Sequence, residues 1–462
     1  MRAAPRRRGA VASRLRRGSP LSGRRPDRSA GSSRPATFRQ VFAVTEFRPL
    51  FGSYLLSTVG DELARVALTV LVYQRTDSPA LSAITFGISY LPYLLGGPVL
   101  AALADRFPRH RVLIASDAAR AVLVACMAVP GMPLPLLLAL LLAVSLCSPP
   151  FEAARSALTA DVLHGDRYAV GISLLAITSQ LAQLTGFLLG GALLVAFSPT
   201  VALLLDATAF AVSAAWLTLG LQRRPAPVAE LDDGELRTLW RDATSGARFL
   251  ASTPRLRAIV GLLWMTALFV NAPEGIAAPF GEQVQGTTAA TGLLLAVGPA
   301  GTAVGGLLVG RLCPPQLRQR LLAPLVVLAL GGVLAAGLTP LWAGTGMGAF
   351  TVVLVLLFLA GIGGACSIPL NVAIVQAVPS GYRGRAFGVA AAGLAGVQGL
   401  GVLGAGLGAE VLRPSTVVAL CGGIGLLAVV VPLVAFSRSR PAAEGDVAHV
   451  ASVPEAEGRS VA

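Results

Sequence analysis

Residues 96–111 read GGPVLAALADRFPRHR. An apolar run ends there in a cluster of charge, Asp105, Arg106, Arg109, His110 and Arg111, and a second apolar run begins at Val112. A lipid-buried helix cannot carry five such side chains, so the cluster lies in water between two membrane spans. The stretch has an echo. At an offset of 209 positions, Gly305-Gly306 falls on Gly96-Gly97, and Arg318-Gln319-Arg320 falls on Arg109-His110-Arg111. The same ungapped offset superposes Ala289 on Ala80, Gly261 on Gly52 and Arg257 on Arg48, so residues 47–111 look like a copy of residues 256–320. The acid is not copied, since Pro314 stands opposite Asp105. Two related halves with one acidic loop point to a membrane transporter.

Composition agrees. Of 462 residues, 54% are hydrophobic and 13% charged, whereas soluble domains carry about 25% charged residues. The chain therefore has too little polar material to cover a water-exposed surface. Its formal charge of +14 comes from arginine alone, without a single lysine. Those arginines sit between apolar runs and in a tail rather than on one face, so membrane topology accounts for them and no nucleic-acid partner is expected. The five cysteines are far apart, with no CxxC spacing, and read as small apolar filler. The three histidines do not pair at ligand spacing, so no metal and no cofactor is expected.

Taken in order, the chain divides into five parts. Residues 1–45 are expected to be a disordered, Arg-rich cytoplasmic tail; its basic runs lack the apolar stretch that a cleaved secretory signal needs. Residues 46–221 form a first six-helix bundle, with spans near 48–73, 80–104, 112–129, 134–156, 168–196 and 200–221. Residues 222–255 are a cytoplasmic linker whose segment ELRTLWRDATSGARFL reads as a surface helix. Residues 256–436 form a second bundle, with spans near 257–281, 288–310, 321–341, 348–376, 386–409 and 414–436. Residues 437–462 are a polar tail. The fold class expected is an all-α membrane protein of twelve transmembrane helices in two pseudo-symmetric six-helix bundles. Basic residues populate the loops on one side, while PGMPLP at 130–135, FSPT at 197–200 and TPLWAGTGMG at 339–348 hold none. By the positive-inside rule both termini are cytoplasmic in a plasma-membrane protein.

The loop Asp105-Arg106 followed by Arg109 and Arg111 resembles the Gly-x-x-x-Asp-Arg-x-Gly-x-Arg-Arg motif of the major facilitator superfamily, with Ala101, Pro108 and His110 as departures. VGD at 59–61, Asp117-x-x-Arg120, AARSALTADV at 153–162, LLDATAF at 204–210 and RGR at 383–385 resemble its branch of enterobactin and macrolide exporters. The resemblance implies a drug:proton antiporter whose gating loop is Asp105, Arg106, Arg109 and Arg111. Glu152, Arg155 and Asp161, at the cytoplasmic end of the fourth span, are candidate partners of that loop. TGFLLGG at 185–191 resembles the superfamily's antiporter kink motif, with Phe187 in place of proline. Gly186, Gly190 and Gly191 would serve close approach and bending at the interface between halves, or ordinary small-residue packing. GxGxxG at 399–404 lies inside an apolar span and reads as a packing face, not a nucleotide site.

Charges inside spans carry the most information, because each costs about 2.5–3.5 kcal/mol at mid-bilayer on insertion scales. Asp61, Glu62 and Arg65 sit together in the first span, Asp61 about 20 Å beyond Arg48 at 1.5 Å per residue. Arg65 can pair with Asp61 at i,i+4 or with Glu62 at i,i+3, the first being the more natural. Either way one acid remains, as part of a structural network or as the binder of a proton or a cationic substrate. The 209 offset maps Glu62 onto Asn271 and Arg65 onto Glu274, so Asp61, Glu62, Arg65, Asn271 and Glu274 are the candidate substrate and proton site. Asp117 and Arg120 read as a structural ion pair. Asp206, near the outer end of the sixth span, could accept hydrogen bonds from neighbouring helix ends.

Three classes of function are open. They are an exporter of a small amphipathic molecule by proton antiport, an importer or facilitator on the same fold, and a non-transporting receptor or membrane enzyme. Neither a nucleophile elbow nor a helical HExxH is present in the sequence, so no enzyme is expected. The expected partners are a small-molecule substrate, protons and membrane lipid, and a monomer is expected.

Overall fold

In lipid every backbone N–H and C=O must be satisfied within the chain, and long apolar runs achieve this as helices. The computed structural model describes residues 37–93, 106–225, 244–286, 290–314, 317, 320–379 and 383–438, and among them the regular structure is helical throughout. The first half contains α1 (Phe38–Phe42), α2 (Phe47–Thr76), α3 (Pro79–Gly87), α4 (Arg109–Met127), α5 (Leu134–Leu146), α6 (Ser148–Val162), α7 (Asp166–Ala196) and α8 (Pro199–Gly220). The second contains α9 (Pro254–Asn271), α10 (Ala277–Gln285), α11 (Thr291–Leu307), α12 (Leu322–Trp342), α13 (Met347–Gly364), α14 (Ser367–Ala377), α15 (Arg383–Val411), α16 (Pro414–Ala428) and α17 (Val430–Arg438).

Nine helical stretches among the described residues are long and apolar enough to cross a membrane, from Leu134–Val162 to Pro414–Arg438. The other three expected spans fall on α2, which carries Asp61, Glu62 and Arg65, on the segment that starts at α3 and is described only as far as residue 93, and on α4, which carries Asp117 and Arg120. Residues 38–42, expected in the tail, belong instead to the folded body. Val41 is fully buried, and the rings of Phe42, Phe47 and Phe51 meet at 5.0–6.0 Å. Of the linker, residues 222–225 and a helix over 244–252 are described. Glu46 holds its start, accepting from the Gln222 N–H at 2.8 Å and from Arg224 at 2.7 and 3.0 Å. The remaining linker residues, and residues 1–36 and 439–462 of the expected tails, lie outside the described residues.

Within the first half α2 packs on α7 and α8, and α4 packs on α6 and α8. In the second α9 packs on α15, α11 on α13, and α12 on α13 and α16. The halves meet along two seams, α3 against α15 and α7 against α11. By order within each half α3 corresponds to α11 and α7 to α15, so the seams are the same contact made twice about a pseudo-two-fold axis. Both depend on small residues. A methyl on Gly292 would stand 2.3 Å from the Gly191 Cα, and one on Gly406 would stand 2.3 Å from the Ala83 Cβ. The α3–α15 seam carries a polar clasp: Glu410 Oε1 accepts from the Ala80 N–H at 3.0 Å and from the Ser78 hydroxyl. A carboxylate of one half thus caps the helix N-terminus of the other. Phe86, Phe187, Ile276 and Phe280, with Val402, form a core common to both halves behind these seams.

Candidate functional site: two cavities and the ion pairs between them

A cavity of about 180 Å³ lies inside the first half, walled by α2, α4, α5, α6, α8 and the segment following α3. Asp61, Glu62, Arg65, Arg120, Glu152 and Asp206 face it. A second cavity, of about 310 Å³, lies between the halves. Tyr90, Gln180 and Gln183 reach it from the first half, and Asn271, Glu274, Thr302 and Gln398 from the second. Glu274 is the sole charged residue on that wall among the described residues; the rest is mostly apolar.

The local sequence explains how Glu274 gets there. Pro273 cannot donate a hydrogen bond and clashes with the preceding turn of an α-helix, and residues Ala272–Ile276 tighten into a 3₁₀ turn between α9 and α10. Gly275 then allows the turn against α15: a methyl there would lie 2.5 Å from the Val402 Cγ1. Glu274 has no ion-pair partner among the described residues.

Arg65 lines the first cavity and acts electrostatically toward the second. Its guanidinium pairs with Glu62 at 2.8 Å, stands over the Phe86 ring at 5.3 Å, and is within electrostatic reach of Tyr90 and Glu274. The i,i+4 pairing with Asp61 is therefore corrected: the i,i+3 partner Glu62 holds Arg65, and Asp61 is in no ion pair among the described residues. α7 closes over this turn of α2. A methyl on Gly186 would lie 2.6 Å from the Glu62 Cβ and 2.9 Å from the Val59 carbonyl oxygen, and one on Gly190 would lie 2.9 Å from the Val66 Cβ. Gly186 and Gly190 thus pack α7 against α2 within the first half, not between halves, and only Gly191 meets the other half. α7 runs unbroken from Asp166 to Ala196.

Asp117 and Arg120 pair at 3.6 Å in a fully buried setting. Arg120 donates to the Cys147 carbonyl at 3.1 Å and lies over the rings of Phe151 and Phe210, while Asp117 accepts from the Ser213 hydroxyl. The three expected partners of the gating loop separate. Asp161 takes Arg109. Glu152 and Arg155 pair with each other, Arg155 lies 4.0 Å over the Tyr54 ring, and Glu152 faces the same cavity as Asp61. Asp105 lies outside the described residues, as do Arg318 and Gln319 of the repeated loop; Arg111 is exposed. Burial first, and then Arg111, Arg223 and Arg224, hold His110 below its ordinary value, so this departure from the motif adds no charge at neutral pH.

Gln180, Gln183, Gln398 and Tyr90 were not singled out from the sequence. Their signal was there: amides in the middle of apolar runs, two of them spaced i,i+3 on one helix face.

A repeated helical bundle with buried charges and a cavity between its halves is the architecture of secondary transporters. The chain belongs to the Major Facilitator Superfamily, whose model matches residues 50–356. An uncharacterized MFS-type transporter of Bacillus subtilis (strain 168), YfiS, is 28% identical over 404 residues, 84% of this chain and 94% of that protein. Among solved structures, a POT family transporter in complex with 5-aminolevulinic acid superposes with a TM-score of 0.69 at 13% identity, over 87% of this chain and 97% of that one. A bacterial homolog of the human lysosomal transporter Spinster, inward-facing and occupied, gives 0.60 at 16% identity, over 87% and 95%. These likenesses establish the fold.

Proposed function

We propose that the protein exports a small amphipathic molecule bearing a basic group, in exchange for protons, by alternating access. The observation that carries this reading is Glu274: one acid without an ion-pair partner, in a mostly apolar cavity between the halves. An uncompensated carboxylate there favours a cation, and the apolar wall favours a lipophilic one. The glutamines at 180, 183 and 398 add adaptable hydrogen bonding around it. Proton coupling draws on the acids of α2, which reach the substrate cavity through Arg65. In this reading the chain has twelve spans and works as a monomer in the plasma membrane, with both termini in the cytoplasm. The loop of Asp105, Arg106, Arg109 and Arg111 latches the outward-facing state, its described end anchored by the Arg109–Asp161 pair.

The test is transport in inverted membrane vesicles under an imposed pH gradient, across a panel of lipophilic cations, neutral drugs, peptides and sugars. Gradient-driven uptake of lipophilic cations supports export; uptake confined to right-side-out vesicles, or of peptides or sugars alone, overturns it. For orientation, Thr345→Cys in a background free of native cysteines labels with an impermeant thiol reagent on intact cells, and Ser252→Cys does not.

A further inference from the structure

The charges around the cavity of the first half divide unevenly. Glu62 is paired with Arg65 at 2.8 Å, Asp117 with Arg120 at 3.6 Å, and Glu152 with Arg155. Each of these pairs is neutral. Asp61 on α2 and Asp206 on α8 also face the cavity, and neither is in an ion pair among the described residues. The phenols of Tyr54 and Tyr93 complete the ionisable groups on its wall.

Asp206 is only 2% exposed, and its Oδ1 has no hydrogen-bond partner. That oxygen presses on α2 at Gly60: a methyl there would stand 2.3 Å from it. Glycine at 60 is thus what lets the carboxylate of α8 reach the turn of α2 that carries Asp61. Arg65 and Arg120 face the same cavity, but neither pairs with these two acids. Two carboxylates outside any ion pair among the described residues repel each other and are poorly solvated, so the site favours one further cation. Hard metal ions want about six oxygen ligands, and among the described residues no group of three His, Cys, Asp or Glu side chains could hold one. A proton needs a single oxygen.

We propose that Asp61 and Asp206 together form the proton-binding site, set inside the first half and apart from the substrate cavity. The inference rests on the proton-coupled reading above and makes it specific. One proton passes from a hydronium ion in external water to either carboxylate, breaking the donor O–H bond as the acid O–H bond forms. That bond breaks again when the proton passes to cytoplasmic water. Arg65 lies within electrostatic reach of Asp61, Glu62 and Glu274. Neutralising Asp61 redistributes that attraction toward Glu62 and Glu274, which is how the proton would be felt in the substrate cavity.

Infrared difference spectroscopy of the full-length protein in nanodiscs, titrated with pH in the absence of substrate, tests the assignment. The wild type is expected to show a titrating carboxylic-acid band, which Asp206→Asn and Asp61→Asn each abolish or displace. Thermal stability of Asp206→Asn is expected to equal or exceed wild type, because an uncompensated charge is removed. A wild-type titration in Asp206→Asn overturns the proposal. So does a fall in its stability, which would mark Asp206 as an acceptor of structural bonds. If the band behaves as expected but a pH gradient drives no transport by the wild type, the proton site stands and the antiport reading falls.

Discussion

The two cavities are built on the same helical plan and hold opposite kinds of chemistry. Among the described residues, the one inside the first half is faced by six charged side chains and the one between the halves by Glu274 alone. The repeat makes the contrast concrete. At the 209 offset, the Glu62–Arg65 pair of α2 becomes Asn271 and Glu274 on the broken helix of the second half. An ion pair has become one amide and one acid without a cation. Within the first half the same split recurs, with three compensated pairs beside Asp61 and Asp206. Each compensated pair lies within one helix at i,i+3 and is neutral as a unit; uncompensated charge is what a proton or a basic ligand can answer.

The largest effect should come from breaking a compensated pair. Arg65→Ala leaves Glu62 buried without a cation and should lower stability by about 3–5 kcal/mol, read as earlier thermal unfolding of the purified protein. An unchanged melting curve would show that the pair contributes nothing and erase the distinction drawn here. Next comes the uncompensated acid. Glu274→Gln should weaken binding of lipophilic cations by about 2 kcal/mol, roughly thirtyfold in Kd, while leaving neutral ligands and thermal stability nearly unchanged. Equal losses for cationic and neutral ligands would mean that Glu274 shapes the cavity and does not read charge.

Packing gives a smaller contrast. Gly186→Ala drives a methyl against the Val59 carbonyl and Glu62, and should cost about 1–2 kcal/mol. Gly298, on the wall of the substrate cavity, has open space at the same point. Gly298→Ala should therefore be neutral or stabilise by up to about 1 kcal/mol, the helical preference of alanine over glycine. Matching losses at both positions would contradict a tight first half beside a roomy cavity. The smallest effect belongs to the clasp on one seam. Glu410→Ala removes its bonds to Ser78 and Ala80 while Ser78 still caps α3, and should weaken the α3–α15 contact by about 1 kcal/mol. Distance measurements between spin labels across each seam should then broaden for α3–α15 and stay sharp for α7–α11.

Much of this was legible in the sequence, for reasons that can be named. A helix in lipid must be apolar along its length, so a cluster such as Asp105 to Arg111 can only lie outside it, and a repeated cluster reveals a repeated half. Asp61, Glu62, Arg65 and Glu274 stood out because charge inside a span is costly. Gln180, Gln183 and Gln398 were passed over because an amide in a span is less conspicuous than a charge. The offset also linked Arg65 with Glu274 before any coordinates, and the structure has the two within electrostatic reach.

What the sequence by itself determined is the membrane-embedded helical class, the two related halves and the identity of the buried charges, all properties of hydrophobicity and spacing along one chain. Which acid takes Arg65 was beyond it. Spacing allowed Asp61 or Glu62, and in the folded chain it is Glu62, on the turn that α7 covers at Gly186, that holds Arg65. That Asp61 and Asp206 face one cavity was equally hidden, since they stand 145 positions apart in the chain and the packing of α8 on Gly60 brings them together. Periodicity says which residues share a face of a helix; it does not say which face of another helix comes to meet it. That is a tertiary choice, made here by the glycines that let backbones approach and by the charges that must find a partner once they do.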